Sequence, residues 1–502
     1  QSLSAALAER SGGCVVVEAG ASYERLGAER YRVNPARLED FQTLLREAFS
    51  EQSPCRGMVH LLGLDASDAT EPESLSTSVV YLLQAWAQRG WRDAPRMWLV
   101  TLGVQVLAEG EQPGSPAAAP LAGLAAVITH EHPELRCAHV DLSARPSPEE
   151  LASLTEELLA DGAEDRIALR GAVRHVARLA RGTSGRKSPT PRELTERGTY
   201  LITGGLGGLG LEVAKWLVQR GARHLVLTGR GAPSEETERV LGELRASGAE
   251  VRVHRADVTS DADVGLVLGS IDAEMPPLRG VVHAAGVIAD GVLTQLDEPR
   301  LRAVLAPKTQ GAWNLHVRTQ GRPLEFFVMF SSAASVLGSP GQGNYAAANA
   351  FLDALAHHRR AAGLPALSIN WGPWADVGLA AVATNRGERL ALRGVGNMPP
   401  AQALEALGRL LESEVAQAVV VPLDLRQWRE FYLSAAQSPF LSVLMQERES
   451  GTTQRKGTAR ELLAAAEPGR RLALLDAFVR EQVGRILRME PGRVEPDQSL
   501  GD

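Results

Sequence analysis

The stretch Thr203-Gly204-Gly205-Leu206-Gly207-Gly208-Leu209-Gly210 constrains the fold more than any other part of the chain. It follows an apolar run at 200–203 and leads into an amphipathic segment at 211–220. Its glycines fall as Gly205-x-Gly207-x-x-Gly210. Between a strand and a helix, that spacing serves a tight turn, a close approach of backbone to pyrophosphate, and a helix–strand contact. Each favours a residue without Cβ. The helix beginning near Gly208 then points free N–H groups at phosphate oxygens. A flexible glycine loop is the bland alternative, but it explains neither flanking element.

Short β-branched runs at 200–203, 224–228, 251–254, 280–283, 326–331 and 366–371 alternate with helical patterns such as 211–220 and 235–247. Such alternation implies a parallel sheet covered on both faces. The second run ends at Leu227-Thr228-Gly229-Arg230. An NAD site usually carries Asp or Glu there for the ribose hydroxyls. Arg230 instead can pair with a 2′-phosphate, so NADPH is the expected cofactor, with a plain surface arginine as the alternative. Ala256-Asp257-Val258 follows the third run; Asp257 either hydrogen-bonds the adenine amino group or caps a helix. His283-Ala284-Ala285-Gly286 ends the fourth, where small residues leave space for the nucleotide.

At 502 residues the chain exceeds the roughly 250–300 that one core usually serves. Residues 181–197 (RGTSGRKSPTPRELTER) read as a solvated linker, and 447–458 as a second break. The part before the linker reads as a worn copy of the part after it. Arg56-Gly57-Met58-Val59-His60-Leu61-Leu62-Gly63 is similar to Arg279-Gly280-Val281-Val282-His283-Ala284-Ala285-Gly286. The run at 97–102 corresponds to 326–331, and 138–143 to 367–371. Near residues 14–20 the copy has only Glu18-Ala19-Gly20-Ala21 in place of a glycine turn, and 114–124 contains no tyrosine. The expected fold class is therefore α/β, with two Rossmann-like, doubly wound parallel sheets. A structural subdomain is expected at 1–196 and a catalytic one at 197–446, followed by a linker at 447–469 and a short helical tail at 470–502.

Ser331-Ser332 ends a buried run, 338–344 is turn-rich, and Tyr345-Ala346-Ala347-Ala348-Asn349 opens a helix. Tyr345 and Asn349, four apart, share a helix face. A tyrosine, with a pKa of about 10, is a poor acid–base group at neutral pH unless a cation stabilises its phenolate. Lys308 is the candidate cation, the sole lysine between Lys215 and the C-terminal linker.

Taken together, TYLITGGLGGLG, HLVLTGRG, RGVVHAAGVIADGVL, LAPKTQGAWNLH, FFVMFSSAASVLGSPGQGNYAAANAFLDALA and LSINWGPWADVG resemble the ketoreductase domain of modular polyketide synthases. This is a branch of the short-chain dehydrogenase/reductase superfamily, many of whose members place lysine where Asn349 stands. The resemblance spans nearly the whole chain and implies a degenerate, supporting first half. It assigns the family's catalytic serine, tyrosine, asparagine and displaced lysine to Ser332, Tyr345, Asn349 and Lys308. It implies NADPH-dependent reduction of a β-ketoacyl thioester, with a non-catalytic or epimerase-only domain as the rival. Ile288-Ala289-Asp290 stands where B-type members carry Leu-Asp-Asp; only Asp290 is kept. Leu337 replaces the tryptophan of A-type members, and Pro340 and Asn344 also fit the B pattern, which implies a D-configured alcohol. Trp371-Gly372-Pro373-Trp374 through residue 393 is expected to form a mobile lid, the two tryptophans alternatively being core.

The tail resembles the start of an acyl carrier protein, stopping before the serine that bears phosphopantetheine. The expected partners are therefore the acyl carrier protein of the same module and other synthase domains. The chain opens at Gln1 and stops inside a patterned segment, so a piece of a longer protein is expected. A formal net charge of −7 argues against nucleic acid. No apolar run reaches the roughly 20 residues of a bilayer span and no signal peptide opens the chain, so no membrane partner is expected. Cys14, Cys55 and Cys137 lie far apart without metal-ligand spacing, which points to a reduced, cytoplasmic compartment and no metal.

Overall fold

The computed structural model describes residues 3–67, 72–90, 93–108, 110–182, 194–375, 377–378, 390–432, 438–451 and 471. The first half opens with a small sheet of β1 (Val16–Ala19), β2 (Glu24–Arg25) and β3 (Arg30–Val33), in the order β1-β3-β2. A second sheet follows: β4 (Gly57–His60), β5 (Arg96–Leu102), β6 (Ala138–Leu142), β7 (Arg166–Arg170) and β8 (Val173–Val176). Its order is β4-β5-β6-β7-β8, parallel except for the β7–β8 hairpin.

The second half builds one wholly parallel sheet from β9 (Thr199–Thr203), β10 (His224–Gly229), β11 (Glu250–Arg255), β12 (Leu278–His283), β13 (Phe326–Ser332), β14 (Leu367–Trp371) and β15 (Gln417–Val420). The order is β11-β10-β9-β12-β13-β14-β15. Leu225, Val226 and Leu227 are consecutive and fully buried, as a strand covered by helices on both faces requires. The order reverses between β9 and β12. Connections there leave to opposite faces and open a crevice at the strands' carboxyl ends.

The first half carries counterparts of only part of this sheet. β4, β5 and β6 hold the positions matched above to β12, β13 and β14, and in the same order. Among the described residues, no counterparts of β9–β11 join them. The segment that lacks the glycine turn, around Ala19 and Gly20, lies instead at the end of β1 in the separate small sheet. The doubly wound expectation thus holds for the second sheet alone. The first has no strand-order reversal and no switch-point crevice among the described residues. Its carboxyl edge is closed by Arg170, whose Nη2 donates to Asp141 Oδ2 at 2.8 Å and whose Nε pairs with Glu111.

The halves share one core. Leu121, Leu124 and Val127 cluster with Leu293, Leu296 and Ala346. Helix Pro120–Glu131 lies so close on helix Gly343–Ala361 that a Cβ added at Gly123 would meet the Ala346 carbonyl oxygen at 2.4 Å. The two parts expected as separate subdomains accordingly form one unit, Gln1–Ser442, and the second division falls at Val443. Most of the expected linker and tail lies outside the described residues. Among the described residues no helix is long and apolar enough to cross a membrane. Cys55 and Cys137 are buried free thiols whose pKa burial pushes up.

Candidate active site

Helix Gly208–Gln219 starts directly after the glycine turn. Gly204 has φ +68°, and a Cβ there would meet the Ala285 nitrogen at 2.8 Å. The turn therefore lies against the residues that leave β12, and the Ala284 N–H donates to the Thr203 carbonyl at 3.0 Å. A Cβ at Gly205 would meet Ile202 O at 2.8 Å, and one at Gly210 would meet Gly204 O at 2.4 Å. Gly207 is different. Its φ is −87°, and an added Cβ would have a single neighbour, Gly204 O at 3.4 Å. Neither the backbone nor the packing demands glycine at 207. The space left open beside it fits the close approach of a pyrophosphate to the helix N-terminus.

Arg230 is exposed at the end of β10, beside β11. Asp257 is not the helix cap considered for it. Ser260 caps Asp261–Glu274, while Asp257 Oδ1 accepts from Thr259 N at 2.9 Å and Thr259 Oγ1 at 2.8 Å. This Asx turn fixes the loop after β11. Val258 is buried, and its carbonyl accepts from Asn314 Nδ2 at 3.0 Å.

Three elements deliver the catalytic candidates. Ser332 ends β13 and caps the short helix Ala333–Leu337, its Oγ accepting from Ala334 N at 3.2 Å. Tyr345 stands in the first turn of Gly343–Ala361. Lys308 ends helix Glu298–Lys308, where the helix's partial negative charge favours a cation. Its ammonium passes Gly286, where an added Cβ would meet Lys308 Cε at 3.0 Å. Gly286 therefore serves the lysine as well as the expected nucleotide. Lys308 Nζ donates to Phe330 O at 2.7 Å and stands 5.7 Å from the Tyr345 ring centroid. The cation lies over the ring, and its hydrogen bond goes to β13. Ser332, Tyr345, Lys308, Gly286, Leu209 and Leu337 line one cavity of about 140 Å³.

Burial pushes the Tyr345 phenol above its ordinary value, opposed by hydrogen bonding to Ser332 and Asn349. Burial lowers Lys308 to about 8, opposed by the charge of Asp353. His283, buried and bonded through Nδ1 to Thr203 Oγ1 at 2.7 Å, is lowered to about 3 by burial and then by Lys308, and is neutral. Asn349 Nδ2 donates to the Tyr345 carbonyl at 2.7 Å, and its buried Oδ1 has no protein partner among the described residues.

Sequence reasoning missed the polar network behind these groups. Asp353 accepts from Ser335 Oγ at 2.8 Å, Ser368 Oγ at 2.6 Å and Asn370 Nδ2 at 2.7 Å. Asn370 also donates to Ser331 Oγ at 3.0 Å, beside Ser332. Tyr345, Asn349 and Asp353 recur every four residues on one helix face, a signal that stops short only because Asp353 resembles a surface acid.

Around the entrance, Asn344 is fully buried and joins two loops. Its Nδ2 donates to Ala289 O at 2.8 Å, and its Oδ1 accepts from the Tyr345 N–H at 2.8 Å. Asp290 is exposed and accepts from Gln342 Nε2 at 3.2 Å. Pro340 lies in the half-buried turn beside it. Trp371 and Trp374 are not part of a lid. They pack edge to face, 5.3 Å apart, in the core with Phe330, and line the cavity. A strand end at Trp371 and a bridge from Trp374 to Met398 fix them. Val377 and Gly378 do reach the cofactor turn, Gly378 N lying 3.2 Å from a Cβ added at Gly208. Residues 379–389 of the expected lid lie outside the described residues.

Residues 198–376 match the KR domain family, and residues 5–179 match the Rossmann fold domain of the polyketide synthase extender module SpnB. The chain is 38% identical over 456 residues to a phenolphthiocerol/phthiocerol polyketide synthase of Mycobacterium tuberculosis (strain CDC 1551 / Oshkosh), covering 87% of this chain and 24% of that protein. It is 35% identical to polyketide synthase GfsB of Streptomyces halstedii, over 96% of this chain and 9% of that protein. The chain thus spans about a quarter (24%) or less of these curated relatives. A solved structure of A-type ketoreductases from a modular polyketide synthase is 32% identical, with a TM-score of 0.75, covering 85% of this chain and 90% of the other. The first ketoreductase of the tylosin synthase is also 32% identical, with a TM-score of 0.73, covering 90% and 93%. With a nicotinamide-type glycine turn and a serine–tyrosine–lysine cavity at one switch point, this chain belongs to the ketoreductases of modular polyketide synthases.

Proposed function

We propose that the chain reduces a β-ketoacyl thioester, presented by an acyl carrier protein of a polyketide synthase, to a D-configured β-hydroxyacyl thioester with NADPH. The observation that carries this reading is the shared cavity of Ser332, Tyr345 and Lys308 at the carboxyl edge of β12 and β13. The turn at 203–210 would hold the pyrophosphate, Arg230 the 2′-phosphate, and Asp257 with Val258 the adenine end. Bound NADPH supplies hydride to the β-carbon.

The chain's own residues supply the rest. Ser332 Oγ–H and the Tyr345 hydroxyl both donate to the substrate carbonyl oxygen and stabilise its growing charge. Burial keeps Tyr345 protonated at neutral pH, the form needed to give its proton to the alkoxide. The Lys308 ammonium lies over the ring and offsets the phenolate this leaves. Asn349, through its unpartnered Oδ1, offers an acceptor for the relay that reprotonates the tyrosine. Leu337, Pro340, Asn344 and Asp290 frame the entrance and select the face presented.

The test is incubation with NADPH and a β-ketoacyl N-acetylcysteamine thioester. NADPH consumption with a D-configured product on chiral chromatography is expected. A folded protein that consumes no NADPH refutes the reductase reading, and an L-configured product refutes the stereochemical one.

A further inference from the structure

We infer that Glu131, on the non-catalytic half, is a positioning residue that sets the geometry of the substrate entrance and so the configuration of the alcohol. The inference rests on the reductase reading above. Helix Pro120–Glu131 ends beside the entrance. There Glu131 Oε1 accepts the N–H of Gly341 at 2.7 Å, and Oε2 accepts the N–H of Leu293 at 2.7 Å. The first amide belongs to the turn that carries Pro340 and leads into Tyr345. The second follows the loop that carries Asp290. One carboxylate therefore cross-ties both loops that frame the reacting carbonyl.

Three neighbouring contacts make this a built junction. His130 Nε2 bonds the Leu337 carbonyl at 2.8 Å. Gln84 Nε2 donates to the Leu293 and Leu296 carbonyls at 2.8 and 2.7 Å. The Gly291 N–H donates to Gly341 O at 2.8 Å, so the loops also touch directly. Leu337, Gly338, Ser339, Gln342 and Ile288 from these loops line the cavity.

The position is a costly one for an acid. The last residue of a helix faces the negative end of its dipole. Burial pushes the Glu131 carboxyl above the usual carboxylate range, while the Leu293 and Gly341 N–H groups oppose it. An apolar or basic residue would suit the helix end better. A carboxylate suits the two amides, because each of its two oxygens accepts from one of them. Glutamine offers one acceptor and one donor, and alanine neither.

The intact chain, Glu131→Gln and Glu131→Ala would be compared on a 2-methyl-3-oxoacyl N-acetylcysteamine thioester. Steady-state kinetics, NADPH affinity by fluorescence titration and the isomer distribution of the product are recorded. Expected is an unchanged NADPH affinity and a loss in kcat/KM of about tenfold to a hundredfold for Glu131→Ala, carried mostly by KM. The product should change from one isomer to a mixture, with Glu131→Gln between the extremes. If Glu131→Ala keeps the wild-type KM and isomer, or loses activity only in proportion to folded protein, the inference is overturned while the reductase reading stands. A wild-type chain that consumes no NADPH overturns both.

Discussion

Lys308 places an ammonium where the fold pays for it. Burial lowers its pKa from 10.5 to about 8. Between those values the unfolded chain binds the proton and the folded chain does not, so stability rises with pH across that window. Below pH 8 the penalty is fully present, and the fall from 10.5 to about 8 corresponds to about 3 kcal/mol. Replacing the lysine by methionine removes the titration. It also leaves the Phe330 carbonyl without its Nζ donor, at a cost of about 1–3 kcal/mol that does not vary with pH. The variant's curve is therefore displaced without being tilted. Urea unfolding at pH 7, 8, 9 and 10 should show the wild type gaining about 2–3 kcal/mol on Lys308→Met from pH 7 to 10. On the proposed mechanism the same proton supports Tyr345, so kcat/KM of the wild type should fall as pH rises through about 8. Parallel stability curves would show that the ammonium is not buried at a cost. A flat activity profile to pH 9.5 would show that its charge does not support Tyr345.

Gly207→Ala should leave the urea midpoint nearly unchanged and weaken NADPH binding at least tenfold in fluorescence titration, since only a ligand needs the space. Gly204→Ala, at φ +68°, should cost roughly 1–2 kcal/mol of stability from the backbone alone, read in the same unfolding assay. Arg230→Ala should raise the KM for NADPH about tenfold or more and leave that for NADH unchanged, the loss of one charge-assisted contact. Tyr345→Phe should lower kcat by about 10²–10⁴ while NADPH binding is kept; equal loss of both would mean the tyrosine only supports the fold.

The second sheet was legible because its signals are local. A strand, a glycine turn and a helix are consecutive, and the apolar runs at 224–228 and 326–331 lie within a residue of β10 and β13. Ser332, Tyr345 and Lys308 were legible as residues, but their meeting was not. Residues 308 and 345 are brought together by the packing of helix Glu298–Lys308 on helix Gly343–Ala361, which no local pattern announces. β15 was missed because Gln417-Ala418-Val419-Val420 is a short edge strand, half-buried throughout. The tryptophans at 371 and 374 read as lid because Gly372-Pro373 mimics a hinge. In the fold, Pro373 instead accepts the Met398 N–H and pins the segment. Glu131 carries no motif at all. Its role follows from two backbone amides about 160–210 residues away, a pairing that periodicity cannot encode.

The loss of β9–β11 counterparts explains what the first half does as well as what it does not do. Without a strand-order reversal it has no switch-point crevice among the described residues, so no substitution at Glu18–Ala21 would restore a nucleotide site of that kind there. What it retains is the part of the Rossmann unit that packs, strands β4–β7 and helix Pro120–Glu131. That helix covers the face of Gly343–Ala361 bearing Ala346 and Ala347, fully buried residues too small to hold the helix by their own area. Alanine there is explained by distance: Gly123 lets the two backbones meet, and a larger residue at 346 or 347 would force them apart. Tyr345 adjoins this contact. A wedge at Gly123 would therefore move Tyr345 from the far half of the molecule, with β9 and the glycine turn left intact.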